Sequence, residues 1–237
     1  MLYAVVSDIH ANYEALKVVL ADIEARKPDR RICLGDIVGY NAAPSECIAL
    51  VKDFDIILMG NHDYAVKDQE LVEKFNFHAR LAIEWTLERL SPEEKQYLSA
   101  LPYVDKEEGL TFVHATPRHP DQWGYIMNID DAMDSFNYFS TQVCFIGHTH
   151  FPVIVSDAGE IIMEKRLEFR RKSRYVVNIG SVGQPRDGDN RACYVLYDTE
   201  KRYLEYVRLP YDIEATQKRM VKAKFPHFLV NRLTEGR

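Results

Sequence analysis

Leu2-Tyr3-Ala4-Val5-Val6-Ser7-Asp8-Ile9-His10 is the stretch on which the fold assignment turns. A short apolar run stops abruptly in a polar cluster, and the same arrangement recurs along the chain. Ile32–Leu34 runs into Gly35-Asp36, and Ile56–Met59 into Gly60-Asn61-His62-Asp63. Leu110–Val113 ends at His114, Val143–Ile146 at Gly147-His148-Thr149-His150, and Tyr175–Val177 at Asn178-Ile179-Gly180-Ser181. Runs this short and rich in Val, Ile and Leu read as strands buried on both faces.

Helical patterns separate the early strands. Leu16, Val19, Leu20 and Ile23 fall at i, i+3, i+4 and i+7, one apolar helical face, with Asn12 as its N-cap. Pro44 suits the first turn of a second helix through Cys47, Ile48 and Val51. A third covers about Phe77–Leu90, and Ser91-Pro92-Glu93-Glu94 is a capping box opening another. Asp130–Phe139 and Ile213–Lys224 are also read as helical. The second half is richer in hairpins: Val153–Ser156 with Ile161–Met163, and Ala192–Tyr197 with Tyr203–Val207. Pro226–Arg237 stays unassigned. Alternating β and α segments followed by hairpins predict a sheet core with helices outside, as one α/β domain over residues 1–237. In open α/β sheets ligands gather at the carboxyl ends of the strands, where all these polar clusters fall.

Composition narrows the function. Apolar residues make up 46% and charged residues 28% of 237, enough for a packed core. The net charge of -6 argues against a protein that coats nucleic acid through bulk charge. Cys33, Cys47, Cys144 and Cys193 form no C-x-x-C pair and read as free thiols. The first residues lack the basic region and cleavage site of a signal peptide, and no stretch approaches a membrane span of about 20 apolar residues. A cytoplasmic protein with no membrane association is the expectation.

His10, His62, His114, His148 and His150, five of the eight histidines, lie in the clusters with Asp8, Asp36 and Asn61. Mixed imidazole, carboxylate and amide donors suit Mn, Fe, Co, Ni or Zn. Seven such ligands exceed one tetrahedral site but suit two metals sharing a carboxylate. If extended, Asp8-Ile9-His10 and His148-Thr149-His150 would each point both ligands to one side. Gly35, Gly60 and Gly147 precede ligands, where glycine permits unusual angles or close approach.

The ordered set D-x-H, G-D-x-x-G, G-N-H-D, H and G-H-T-H resembles the calcineurin-like metallophosphoesterase superfamily. Here it reads Asp8-Ile9-His10, Gly35-Asp36-Ile37-Val38-Gly39, Gly60-Asn61-His62-Asp63, His114 and Gly147-His148-Thr149-His150, and Asn178-Ile179-Gly180-Ser181 is similar to a further family element. The resemblance implies a four-layer αββα sandwich of two mixed β-sheets flanked by helices. It implies one metal held by Asp8, His10, Asp36 and His150. A second would be held by Asp36, Asn61, His114 and His148, with Asp36 bridging and His62 as the catalytic histidine. Two metals roughly 3.5–4 Å apart clamp a phosphoryl group and generate hydroxide, which attacks phosphorus in line. His62 would protonate the leaving oxygen.

The expected substrate is a small phosphorylated molecule: a phosphodiester, a phosphomonoester or a dinucleotide polyphosphate. Protein phosphatases of the superfamily carry Arg-Gly after G-D-x-V-D, whereas Gly39-Tyr40-Asn41 stands here, which points away from phosphoproteins. The chain is closer to compact prokaryotic phosphodiesterases and relatives of the diadenosine tetraphosphate hydrolases. A non-catalytic protein-binding scaffold on the same fold is the alternative, set against the full complement of motif residues.

Arg186, in the loop Gly180–Asp189, could pair with a phosphate in forked geometry. Trp123 and Tyr125 could stack a base, though the plainer reading packs both beneath their loop. Lys165-Arg166 and Arg170–Arg174 form a basic stretch, more simply a solvated loop than a nucleic-acid contact; no stable nucleic-acid partner is expected.

Overall fold

The computed structural model describes residues 1–237. In chain order the elements are β1 (Leu2–Val6), α1 (Tyr13–Arg26), β2 (Arg30–Cys33), α2 (Pro44–Val51), β3 (Ile56–Ile57), α3 (Asn61–Tyr64), α4 (Gln69–Lys74), α5 (Phe77–Leu87) and α6 (Pro92–Ser99). Then come β4 (Val104–Glu107), β5 (Leu110–Val113), α7 (Ile129–Ser135), β6 (Val143–Ile146), β7 (Val153–Ser156), β8 (Ile161–Ile162), β9 (Arg166–Glu168) and β10 (Tyr175–Asn178). The chain ends with β11 (Ala192–Asp198), β12 (Tyr203–Leu209), α8 (Ile213–Lys222) and α9 (His227–Glu235).

The strands form two six-stranded mixed sheets, ordered β3-β2-β1-β11-β12-β9 and β4-β5-β6-β10-β7-β8. In the first, β1, β2 and β3 run parallel, and β11, β12 and β9 follow antiparallel. In the second, β5, β6 and β10 are parallel, edged by antiparallel β4, β7 and β8. Side-chain alternation along β1 explains the layering. Tyr3 and Val5 enter a core between the sheets with Phe112, Phe145, Val177 and Tyr197. Ala4 and Val6 face the other way, against Leu16, Val19 and Ile23 of α1 and Cys47, Ile48 and Val51 of α2. Beyond the second sheet, Phe136 and Phe139, just after α7, cover Val113, Cys144, Ile146 and Val176. The result is the expected αββα sandwich. All four cysteines are buried and unpaired, and no helix is long and apolar enough to cross a membrane.

Several boundaries differ from the sequence reading. β3 stops at Ile57: Leu58 N–H still donates to the Cys33 carbonyl of β2 (2.8 Å), but Met59 N–H turns to the Pro102 carbonyl (2.8 Å). α7 stops at Ser135, and Phe136 and Phe139 pack from the turn beyond it. The unassigned tail contains α9, whose Leu229, Val230 and Leu233 close a small core with Tyr40, Ala82 and Met220. The basic stretch is not a plain loop. Its start is edge strand β9, where Arg166 pairs with Glu205 (2.9 Å). Arg170 meets Glu160 (3.2 Å), and Arg174 donates to the Phe136 and Phe139 carbonyls (both 2.9 Å).

Asn12 knits these layers together. Its Oδ1 caps α1 through Ala15 N–H (3.2 Å) and accepts from Thr216 Oγ1 of α8 (3.0 Å), while its Nδ2 donates to the Gly183 carbonyl (2.9 Å). The side chain is fully buried. Removing it deletes a helix cap and orphans a buried carbonyl, so Asn12→Ala is expected to cost about 2–4 kcal/mol. That loss should appear as a lower urea midpoint at unchanged m-value. An unshifted midpoint would contradict this account.

Candidate metal centre

The parallel strands of both sheets end on one edge of the molecule. β1 delivers Asp8 and His10, β2 Asp36, β3 Asn61 and His62, β5 His114, and β6 His148 and His150. All eight side chains are buried. The D-x-H and H-T-H pairs are not extended. Asp8, His10, Asp36, His148 and His150 all have φ between 49° and 68°, the left-handed region. Such backbone costs roughly 1–2 kcal/mol per non-glycine residue, so the surroundings must hold it. They do so through backbone bonds: Asp8 N–H to the Gly35 carbonyl (3.0 Å), His10 N–H to Asp36 (2.8 Å) and Ala11 N–H to Ile37 (2.8 Å). Two glycines matter by close approach rather than by twist. A Cβ on Gly60 would strike the Asp36 carboxylate, and one on Gly147 would strike Ser7 and Asp8.

The histidine tautomers follow from their partners. Nδ1 of His10 lies 3.1 Å from the Val38 carbonyl, that of His114 3.2 Å from Leu34, and that of His150 2.6 Å from Gln184. A carbonyl only accepts, so each Nδ1 carries a proton, and each Nε2 presents its lone pair whenever the ring is neutral. Those lone pairs converge. His10 Nε2 and His150 Nε2 are 3.0 Å apart. His114 Nε2 lies 3.4 Å and His10 Nε2 3.6 Å from Asp36 Oδ2, and His150 Nε2 lies 3.2 Å from Asp8 Oδ1. The other carboxylate oxygens are anchored. Asp36 Oδ1 accepts from His62 N–H (2.8 Å), and Asp8 accepts from His148 N–H (3.0 Å).

Two groups of donor atoms result, Asp8-His10-Asp36-His150 and Asp36-His114-His148, each with its atoms within 4.8 Å of one another. Asp36 belongs to both. Asn61 Oδ1, His114 Nε2 and His148 Nε2 are buried with no hydrogen-bond partner. Buried acceptors aimed at one another without donors are expensive. A cation among them satisfies the whole set, so the donor chemistry fits divalent metal.

Protonation follows the same logic. Burial pushes Asp8 up, but the His150 and His114 imidazoles overrule it, and Asp36 is likewise held well below the carboxylate range by His114, His62 and His10. His114 is opposed by burial, yet Asp36 and Asp8 pull it up to about 9. Burial drives His148 down to about 3 and His62 to about 4. The metal-free cluster thus holds two carboxylates against one imidazolium.

Some residues of the quoted motifs, given no role by the sequence reading, support the donors. Asp63 ties the Asp36 loop to the Gly60 loop, accepting from Ile37 N–H (2.9 Å), Val38 N–H (3.2 Å) and Gly60 N–H (3.0 Å). Burial and the Asp36 charge raise its carboxyl to about 7. The loop after β10 braces both ligand loops: Asn178 Nδ2 donates to the Gly147 carbonyl (2.7 Å) and Ser181 Oγ to the Asp8 carbonyl (2.8 Å). His62 packs among His10, Tyr40 and Phe75, with its Nδ1 against Gly39 and without a partner.

Arg186 lies over the Tyr40 ring (5.5 Å), held by Gln184 Oε1 (2.8 Å), with its Nε buried and unpaired. Arg232 of α9, absent from the sequence reading, lies over the same ring (5.8 Å), its Nε donating to the Arg237 carbonyl. The aromatic pair divides. Trp123 packs beneath its loop with Tyr64, Tyr103 and His114, as expected. Tyr125 does not: it is 58% exposed, its ring 4.1 Å from that of His148.

Two mixed sheets whose strand ends gather carboxylates and imidazoles at one buried centre define a metal-binding αββα enzyme. The chain belongs to the calcineurin-like phosphoesterases: residues 1–202 match the calcineurin-like phosphoesterase superfamily domain. It is accordingly a metal-dependent phosphoric ester hydrolase. An uncharacterized protein of Methanocaldococcus jannaschii is 40% identical over 242 residues, covering 100% of this chain and 98% of its own. A metallophosphoesterase from Sphaerobacter thermophilus superposes with a TM-score of 0.90 at 39% identity, over 100% of this chain and 99% of that one. A hypothetical protein from Pyrococcus horikoshii shares the fold, with a TM-score of 0.81 at 22% identity over 100% and 98% of the two chains.

The raised His114 sets a proton balance. Its imidazolium attraction to Asp36 and Asp8 stabilises the metal-free fold fully below the ordinary value of 6.5 and is lost as pH rises through about 9. A metal needs the neutral ring, so loading below pH 9 must expel that proton. Titration of metal-free protein with Mn at pH 7.5, in buffers of different ionisation enthalpy, should release about one proton at this residue. Apparent affinity should fall between pH 9 and pH 6; pH-independent affinity would contradict the assignment.

Proposed function

We propose that the chain hydrolyses a small phosphate ester, a phosphodiester, phosphomonoester or dinucleotide polyphosphate, at this strand-end cluster. The carrying observation is the pair of donor groups that share Asp36, with unpaired buried lone pairs facing inward. Asp8, His10, Asp36 and His150 would hold one ion, and Asp36, Asn61, His114 and His148 the other. Mixed nitrogen and oxygen donors favour Mn, Fe, Ni, Co or Zn. Such ions would supply Lewis acidity and an oxygen nucleophile at neutral pH.

The protein's part is to orient and to move a proton. The oxygen of a water that has given one proton to solvent bonds to phosphorus as the bond to the leaving oxygen breaks, and the leaving oxygen takes a proton from His62, which has drawn that proton from solvent once the phosphoryl group is bound. Burial and the Arg186 charge keep His62 neutral at pH 7 before substrate enters. An anionic phosphoryl group beside it raises its affinity for a proton. Arg186 has no carboxylate partner, and the guanidinium groups of Arg186 and Arg232 flank Tyr40, whose ring packs on His10 and His62. Both are placed to pair with non-reacting phosphate oxygens.

We place β12, α8 and α9 in the same domain as residues 1–202, because β12 continues the first sheet and α9 supplies Arg232. Four buried free thiols accord with a reducing cytoplasm.

His62→Ala should retain both metals by elemental analysis and lose about 10²–10⁴-fold in kcat on bis(p-nitrophenyl) phosphate. Asp36→Asn should lose metal and turnover together. Retained turnover in the first variant, or lost metal with misfolding, would remove His62 from the chemistry.

A further inference from the structure

Beside the metal centre opens a cavity of about 570 Å³ with mostly apolar walls. Tyr125, Met127, Phe151, Ile161 and Met163 line it, and their exposures run from 42% (Phe151) to 72% (Met127). Large apolar side chains scattered over a surface need no account, but several gathered in one concavity mark a binding site. The volume lies within the roughly 300–1,000 Å³ of small-molecule sites.

The cavity adjoins the candidate chemistry. Tyr125 lies against the His148 ring, Thr149 stands between His148 and His150, and Arg186 forms part of the rim. An occupant therefore lies against Tyr125 and Thr149, the neighbours of His148, and beside a guanidinium. The walls offer little hydrogen-bonding to a ligand. Nine of the thirteen lining residues have no hydrogen-bonding side chain; of the other four, Asn128 Oδ1 caps α7 through Asp131 N–H (3.0 Å) and Thr149 Oγ1 accepts from Asn178 Nδ2 (2.8 Å), which leaves the Tyr125 hydroxyl, Asn128 Nδ2 and Arg186 as the polar contacts. Recognition of a polar base edge needs free donors and acceptors, whereas burial of hydrocarbon does not.

We propose that this cavity is the subsite for the organic group of the substrate, and that the group is alkyl or aryl rather than a polar base read by its edge. The proposal rests on the phosphoesterase reading of the neighbouring cluster. In it, the phosphoryl group sits at the Asp36 cluster under Arg186, and the ester's hydrocarbon extends over Tyr125 toward Ile161 and Met163.

The experiment compares p-nitrophenyl methyl phosphate with p-nitrophenyl phenyl phosphate, using the full chain loaded with Mn. Both release p-nitrophenolate, and each kcat/KM is divided by the ester's alkaline hydrolysis rate. The phenyl ester should be preferred roughly ten- to a hundredfold. I161D and M163D, which place charge on the cavity wall, should each bring that ratio toward one. Comparing the two esters on a single preparation cancels losses of active protein. Turnover of both esters with a ratio near one in the unmodified chain overturns the subsite alone. No turnover of either overturns the reading of the cluster and the subsite with it. A preserved ratio in both variants also overturns the subsite, and if sedimentation velocity then shows I161D splitting a dimer, the face is a contact between copies instead.

Discussion

Asp8 and Asp36 are fully buried side by side, and the rest of the molecule is arranged around keeping them there. A buried carboxylate without a partner costs several kcal/mol, while an opposite charge roughly 4 Å away returns about 4 kcal/mol at an effective dielectric of 20. The imidazoles supply only part of that compensation. His114 takes a proton, but burial holds His10, His148 and His150 neutral, helped by the His114 charge at His148 and the Arg186 charge at His150. Two anions against one cation leave the centre short of positive charge, and the remaining nitrogens offer lone pairs rather than protons. Affinity for divalent metal is thus a consequence of how these groups are buried.

That burial is possible because of where the strands stop. β1, β2 and β3 are parallel neighbours, so their carboxyl ends lie side by side, and β5 and β6 do the same in the facing sheet. Each ligand follows its strand within four residues, His114 directly and Asn61 by four. The left-handed backbone at five of these positions is the cost of turning so sharply. Bonds between loops help to hold it: the Asp8 loop to the Asp36 loop, the His148 amide to Asp8, and Asp63 across the Asp36 and Gly60 turns. Strain and support are therefore distributed over several strand ends, which explains why the centre rests on residues from so much of the chain.

This distribution also decides what the sequence discloses. Buried strands announce themselves as apolar runs, and ligand-type residues at their ends are conspicuous, so the two sheets and the donor cluster were legible. The left-handed turns were not, because a D-x-H triplet reads equally well as extended chain. Edge strands hide as well. β4 is Val-Asp-Lys-Glu and β9 is Arg-Leu-Glu, polar enough to pass for loops, because each is paired on one side only. Arg232 was invisible for a different reason. Nothing local marks it, and its position over Tyr40 arises only when α9 folds back against α8.

The centre has two unlike sides, and Arg186 belongs to both. On one, Tyr40 carries two guanidinium groups next to His10 and His62. On the other, Tyr125 leads from His148 into apolar walls. Strand ends fix the donors and so fix the chemistry, leaving those donors little freedom to distinguish one ester from another. Discrimination then falls to groups that touch the rest of the substrate: a cationic side that rewards extra negative charge, and an apolar side that rewards hydrocarbon. Thr149 and Phe151 alone share a loop with His148 and His150; most of the rest come from the loop before α7, the β7–β8 hairpin, the β10–β11 loop and α9, none of which supplies a donor atom to the cluster. Substitutions there can retune which ester is cut while Asp8 and Asp36 stay buried, because the two tasks rest on different elements.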